Sequence, residues 1–214
     1  MTVRAMLAGV GGALFLVSGA MAADLPAEQQ AVFASYIKSA AYRSILEKAY
    51  NDAEPAMLKA QCPALKLTAF DPPDIAVPPK FVKGKGGWQA ADGAWVQRAT
   101  LDRCGRPVLR RALAMTGSNN TLKVRPLIPG EYNGGYRLEP KAVGTVEINT
   151  VYALNCKDTK KPEVLDIKLA TKPRPGWTEV WTMALCGKTA TARVTYIVGS
   201  GETDVSTSEI AYTK

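Results

Sequence analysis

The sequence predicts an α+β protein of two tandem, diverged repeats, each a helix packed on a small, mainly antiparallel sheet and pinned by one disulfide. Three observations carry that expectation. The first is a phrase met twice: GAWVQRATLDRCG (93–105) returns further on as GWTEVWTMALCG (176–187). With a shift of 82 positions, Trp95, Thr100, Cys104, Gly105, Arg111, Gly117, Ser118 and Thr121 meet Trp177, Thr182, Cys186, Gly187, Arg193, Gly199, Ser200 and Thr203. Eight identities in 27 ungapped positions exceed the roughly two that ordinary composition yields by chance. The second observation is that four cysteines fall two to a copy, Cys62 with Cys104 and Cys156 with Cys186. The third is period-two alternation after each tryptophan, the signature of a half-buried strand.

The N-terminus reads as an export signal. Arg4 supplies a positive start, 5–17 is an apolar run too short to span a bilayer comfortably, and Ala20-Met21-Ala22 has the small-x-small pattern of a peptidase site. The expected division is a leader over 1–22, a first repeat over 23–130 with a long N-terminal helix, and a second over 131–214.

Within the first repeat, Phe33, Ile37, Ala41, Ile45 and Ala49 form an i, i+4 ladder, with Tyr42, Leu46 and Tyr50 beside it. Pro26 suits the first turn, and Asn51-Asp52 with Pro55 interrupt the helix before a short last piece reaches Cys62. Strands are expected over 65–70, from Trp95 to Arg103, over 107–116 and over 121–127. Pro129-Gly130 and Asn133-Gly134-Gly135 mark the junction. For 140–155 two readings stand: Pro140 and the repeat favour helix, whereas Val143, Val146, Ile148, Thr150 and Val151 favour strand. Strands follow over 164–170, 177–185, 188–198 and 203–212.

The cysteines acquire a role from this order. Each copy places one after a helix and the other in a Cys-Gly hairpin tip, where glycine supplies φ > 0. Bridges Cys62–Cys104 and Cys156–Cys186 would pin helix to sheet, in keeping with an oxidising compartment. Separations of 42, 52 and 30 residues do not suit a four-cysteine zinc site, and the chain has no histidine. No metal, no cofactor and no catalytic residue is assigned.

Charge supplies the partner signal. The chain carries a net +8, and 80–125 holds Lys80, Lys83, Lys85, Arg98, Arg103, Arg106, Arg110, Arg111, Lys123 and Arg125 against Asp92 and Asp102. Of these, Arg98, Arg103, Arg106, Arg110, Arg111, Lys123 and Arg125 are the candidate anion-binding residues. An exported protein rarely meets nucleic acid, so the expected partner is an acidic envelope component: lipid phosphate, acidic glycan or acidic protein. No transmembrane segment is expected once the leader is removed.

A second candidate is the face of Trp177, Glu179 and Trp181, with Trp95 in the first copy. Aromatic faces flanking a carboxylate suit sugar or cation binding. The first copy has Gln97 and Ala99 in place of Glu179 and Trp181, which favours a core role. The phrase W-x-E-x-W-x4-C-G, followed by an alternating strand and a Gly-rich turn, resembles one in small exported proteobacterial proteins without an assigned role. That resemblance implies a β scaffold and an envelope location and carries no activity. The expected function is therefore that of a non-catalytic periplasmic or secreted bacterial protein that binds an acidic partner. A small periplasmic hydrolase, or an inhibitor of an envelope enzyme, is the alternative.

Overall fold

The structure, a computed structural model, describes residues 25–85, 87–117, 119–155, 161–174, 176–199 and 203–213. The expected leader, Ser118 and Cys156 lie outside the described residues. The chain is α+β with two antiparallel sheets. No helix among the described residues is long and apolar enough to cross a membrane.

The helical start is three pieces, α1 (Ala27–Lys38), α2 (Ala40–Ala53) and α3 (Ala56–Gln61). Ser39 breaks the first from the second: its backbone is extended, and its hydroxyl accepts the N–H of Tyr42 at 3.2 Å as an N-cap. This break corrects the expected single ladder. It turns α2 so that Tyr42, Leu46 and Tyr50 are buried, while Ala41 and Ile45 stay exposed.

Sheet one contains β1 (Lys66–Phe70), β2 (Asp74–Gly84), β3 (Gly87–Arg103), β4 (Arg106–Thr116) and β5 (Leu122–Pro126). β3 is its spine. β4 lies on one side of it, and β1 and β2 lie end to end along the other, separated by Asp71-Pro72-Pro73. β2 was not expected, and it contains Pro78 and Pro79, which interrupt a strand's hydrogen-bonding pattern. An edge strand tolerates them, since the missing N–H need not point at a neighbour. The first core joins Phe33, Tyr42, Leu46 and Tyr50 to Leu67, Phe81, Trp95, Leu101 and Ala112.

Sheet two follows α4 (Gly135–Leu154) and runs β6 (Glu163–Arg174), β7 (Gly176–Leu185), β8 (Lys188–Val198), β9 (Thr203–Thr213), each paired to the next. The open choice over 140–155 resolves as helix. It begins at Gly135, ahead of Pro140, which sits inside it, and ends at Asn155 in the left-handed region. The β-branched residues are accommodated because Val146 and Thr150 fall one turn apart on the buried face, with Ala142 and Leu154. α4 meets β9 and β8. The second core holds Tyr132, Val146, Ile167, Trp181, Met183, Ala192, Val194 and Tyr196.

The junction is tied by backbone hydrogen bonds to a strand of each sheet. Leu127 and Gly130 donate backbone N–H groups to Arg111 and Leu109 of β4, and Glu131 donates to Ile167 of β6. Gly130 takes φ +87°, and a Cβ there would run into the backbone of Ile167, so a side chain would force the two sheets apart.

Candidate functional site

The strand alternation of β7 puts Trp177, Glu179 and Trp181 on one face, and that face turns inward. Glu179 and Trp181 are wholly buried and Trp177 is half-buried. The carboxylate is an internal hub. One oxygen accepts the indole N–H of Trp177 at 2.9 Å and the backbone N–H of Asn133 at 2.8 Å; the other accepts Trp181 Nε1 and the Tyr196 hydroxyl, both at 2.9 Å. Four donors fill the four lone-pair positions, so Glu179 acts as acceptor only. Trp177 stacks on Tyr196 with centroids 4.4 Å apart. Burial, followed by the Glu179 charge, pushes the Tyr196 phenol well above its ordinary pKa.

Trp95 and Gln97 are wholly buried on β3. Trp95 Nε1 donates to the Tyr42 hydroxyl at 2.8 Å, which donates to Gln97 Oε1 at 3.4 Å. The Gln97 amide donates to the backbone oxygens of Asp71 and Arg98. As placed, neither aromatic set offers an open platform for a sugar or a cation.

The candidate anion-binding residues divide in two. Arg103, Arg110 and Arg111 are committed inside the protein. Arg103 and Arg110 share the strand face of Trp95 and converge on Glu54, just beyond α2; Arg110 donates Nη2 at 2.8 Å and Nε at 3.2 Å, and Arg103 donates to the other oxygen. Arg110 is 5% exposed and Arg111 3%, which removes both from any accessible surface and corrects that part of the expectation. Arg111 points to the opposite face, where it meets Glu139 of α4 at 3.5 Å and lies 4.8 Å over the Tyr132 ring. Burial lowers the pKa of Arg111, opposed by the nearby Glu139; burial raises that of Glu139, opposed by Arg111. Arg98, directly across from Arg111, is half-buried. Arg106, Lys123 and Arg125 are exposed, as are Lys80, Lys83 and Lys85.

Cys62 and Cys104 are bridged, which fastens the end of α3 to the β3–β4 turn. Cys156 lies outside the described residues, and no described cysteine is a free thiol. Both Cys-Gly turns put both residues in the left-handed region, with φ +47° and +85° at Cys104-Gly105 and +53° and +70° at Cys186-Gly187. That is the two-residue geometry whose twist matches the flanking strands.

A cleft of about 490 Å³ runs beside the junction, lined by Asp52, Glu54, Pro55, Pro129, Glu139, Glu147 and Glu163 among others. Glu54 and Glu139 are the carboxylates held by the buried arginines, and Asp52 pairs with Lys48. Among the described residues no group of acids and cysteines is arranged to hold a metal ion. Sequence reasoning missed Glu54 and Glu139, since each meets its arginine from a distant part of the chain.

No protein family, no curated protein and no solved structure matches this chain.

Proposed function

We infer that this is an exported, non-catalytic binding protein of the bacterial envelope that serves an acidic partner through its exposed basic residues. The observation that carries the reading is how charge is distributed after folding. Acids inside the protein meet Arg103, Arg110 and Arg111, while Lys80, Lys83, Lys85, Arg106, Lys123 and Arg125 are left exposed to attract an anion. The Cys62–Cys104 bridge agrees with an oxidising compartment such as the periplasm or the medium.

The scaffold in this reading is one module used twice, each copy with its own disulfide. In support, β1 with β2 flanks β3 as β6 flanks β7, and both hairpins close through Cys-Gly turns of the same geometry. The pairs Trp95–Gln97 and Trp177–Glu179, buried except for the half-buried Trp177, also stand at matching positions of the 82-residue shift.

The experiment is binding of the exported protein to a sulfated polysaccharide and to anionic lipid vesicles across a salt series. Binding should weaken steeply as salt shortens the Debye length, and reversing charge at Arg106, Lys123 and Arg125 should weaken it further. Indifference to salt and to those substitutions overturns the reading. A hydrolase would draw on Glu139, a cleft carboxyl with a raised pKa, but that group already faces Arg111 and the Ile128 backbone N–H.

A further inference from the structure

β2 and the first third of β3 form a two-stranded ribbon that outruns the rest of its sheet. β4 ends at Thr116, whose hydroxyl donates to the Gly93 carbonyl. Residues 87–92 therefore have β2 as their strand partner and no other among the described residues. The core stops at the Phe81–Ala90 pair. Past it, Val82, Lys83, Lys85, Gly87, Trp88 and Gln89 are all exposed. Gly84 pairs with Gly87, which places Lys85 in the turn, and Gly87 supports that turn with φ +107°.

The chemistry of this tip is unlike that of a solvated loop. Trp88 is 39% exposed and sits directly across from Lys83, on the strand face of Phe81. Val82 is 42% exposed and projects from the opposite face. Lys80 adds a third cation, 3.6 Å from Asp92, which is the sole carboxylate between positions 80 and 92. An isolated two-stranded ribbon gains little stability in water, and an indole beside an open turn exposes apolar surface that the core could have taken.

We propose that the ribbon tip is a docking element for an anionic lipid surface, with Trp88 and Val82 entering the headgroup layer and Lys80, Lys83 and Lys85 meeting lipid phosphates. Indole rings favour the membrane–water boundary, and lysine stems lie along apolar surface while their ammonium groups reach phosphate. Apolar side chains on both faces of a narrow tip suit insertion, whereas a glycan chain laid along one face would leave Val82 or Trp88 in water. The proposal rests on the acidic-partner reading above and specifies its surface and partner.

The test uses the exported protein with vesicles of phosphatidylglycerol in phosphatidylcholine, against phosphatidylcholine alone, read by co-sedimentation and tryptophan fluorescence. Anionic vesicles should bind the protein and shift its emission to the blue. Replacing Lys80, Lys83 and Lys85 together by Gln should weaken partitioning about a hundredfold, at roughly fivefold per lysine. Trp88→Ser should abolish the blue shift, because Trp95 and Trp181 are buried in the core and Trp177 is held against Tyr196 and Glu179 in the other sheet. Unchanged melting temperatures would show that the variants fold. Equal binding to phosphatidylcholine, or anionic binding indifferent to these substitutions, overturns the proposal. Binding to sulfated polysaccharide without binding to vesicles overturns the lipid assignment and leaves the acidic-partner reading standing; binding to neither removes both.

Discussion

Glu179 accepts the indole N–H of Trp181 at 2.9 Å, two positions along the same strand, with both side chains closed off from water. The W-x-E-x-W spacing makes this possible, because i and i+2 share a strand face. Trp177 closes the same clamp from the other side, and Tyr196 reaches it from the neighbouring strand.

Removing the carboxylate strands its donors. Glu179→Ala should lower unfolding free energy by about 4 kcal/mol, since each buried group left unpaired costs roughly 1–3 kcal/mol and cavity water recovers part of it. Glu179→Gln should cost about 2 kcal/mol, because its amide nitrogen would face the two donors that either oxygen now accepts. Urea denaturation of both variants measures this; equal stability to the parent would show that the clamp is dispensable.

Glu54 pairs with two arginines at once, one on each oxygen. Glu54→Ala leaves Arg103 and Arg110 close together without their counter-charge, and should cost about 3–5 kcal/mol. Adding Arg110→Met to Glu54→Ala should recover part of that loss. A double-mutant cycle in denaturant gives the coupling, and strict additivity would contradict the arrangement.

The Cys62–Cys104 bridge spans 42 residues of sequence, which in the chain-entropy model is worth up to about 4 kcal/mol. Replacing both cysteines by Ala should lower the melting temperature by a corresponding amount. Peptide mapping under non-reducing conditions should recover these two cysteines in one linked fragment.

Alkaline pH should unfold the protein cooperatively. Burial pushes the phenols of Tyr42, Tyr50, Tyr132 and Tyr196 above their ordinary pKa of 10.0. The folded state keeps their protons where the unfolded chain loses them, so this stability is complete below pH 10.0 and declines as pH rises beyond it. The slope is about 1.4 kcal/mol per pH unit for each tyrosine. Absorbance at the phenolate band should show these four of the eight tyrosines titrating together with loss of the folded near-ultraviolet signal. Gradual titration in a folded protein would refute their burial.

Much of the β architecture was legible in the residues. Alternation located β7, β8 and the C-terminal half of β3, and Cys-Gly marked both hairpin tips. The structure adds that the cysteine of each turn, as well as the glycine, is left-handed. The break at Ser39 was less legible, because the apolar ladder runs through it unchanged and the cap depends on one hydroxyl. β2 was hidden by its prolines, whose tolerance depends on lying at an edge, a property of the assembled sheet.

The charged site shows the same boundary. Strand parity alone put Arg103 on the face of Trp95, yet whether that face was solvated depended on an acid elsewhere. Glu54 and Arg110 are 56 residues apart, and Arg111 and Glu139 are 28 apart on different elements. The residues alone dictate what near neighbours and composition control, namely strand periodicity, turn chemistry and an excess of positive charge. The Cys62–Cys104 bridge, across 42 residues, was legible only through the order of elements around its two cysteines. Tertiary structure alone decided which arginines are buried against acids and which lysines remain on a projecting ribbon, because burial and ion pairing are set by groups that meet only when distant segments pack.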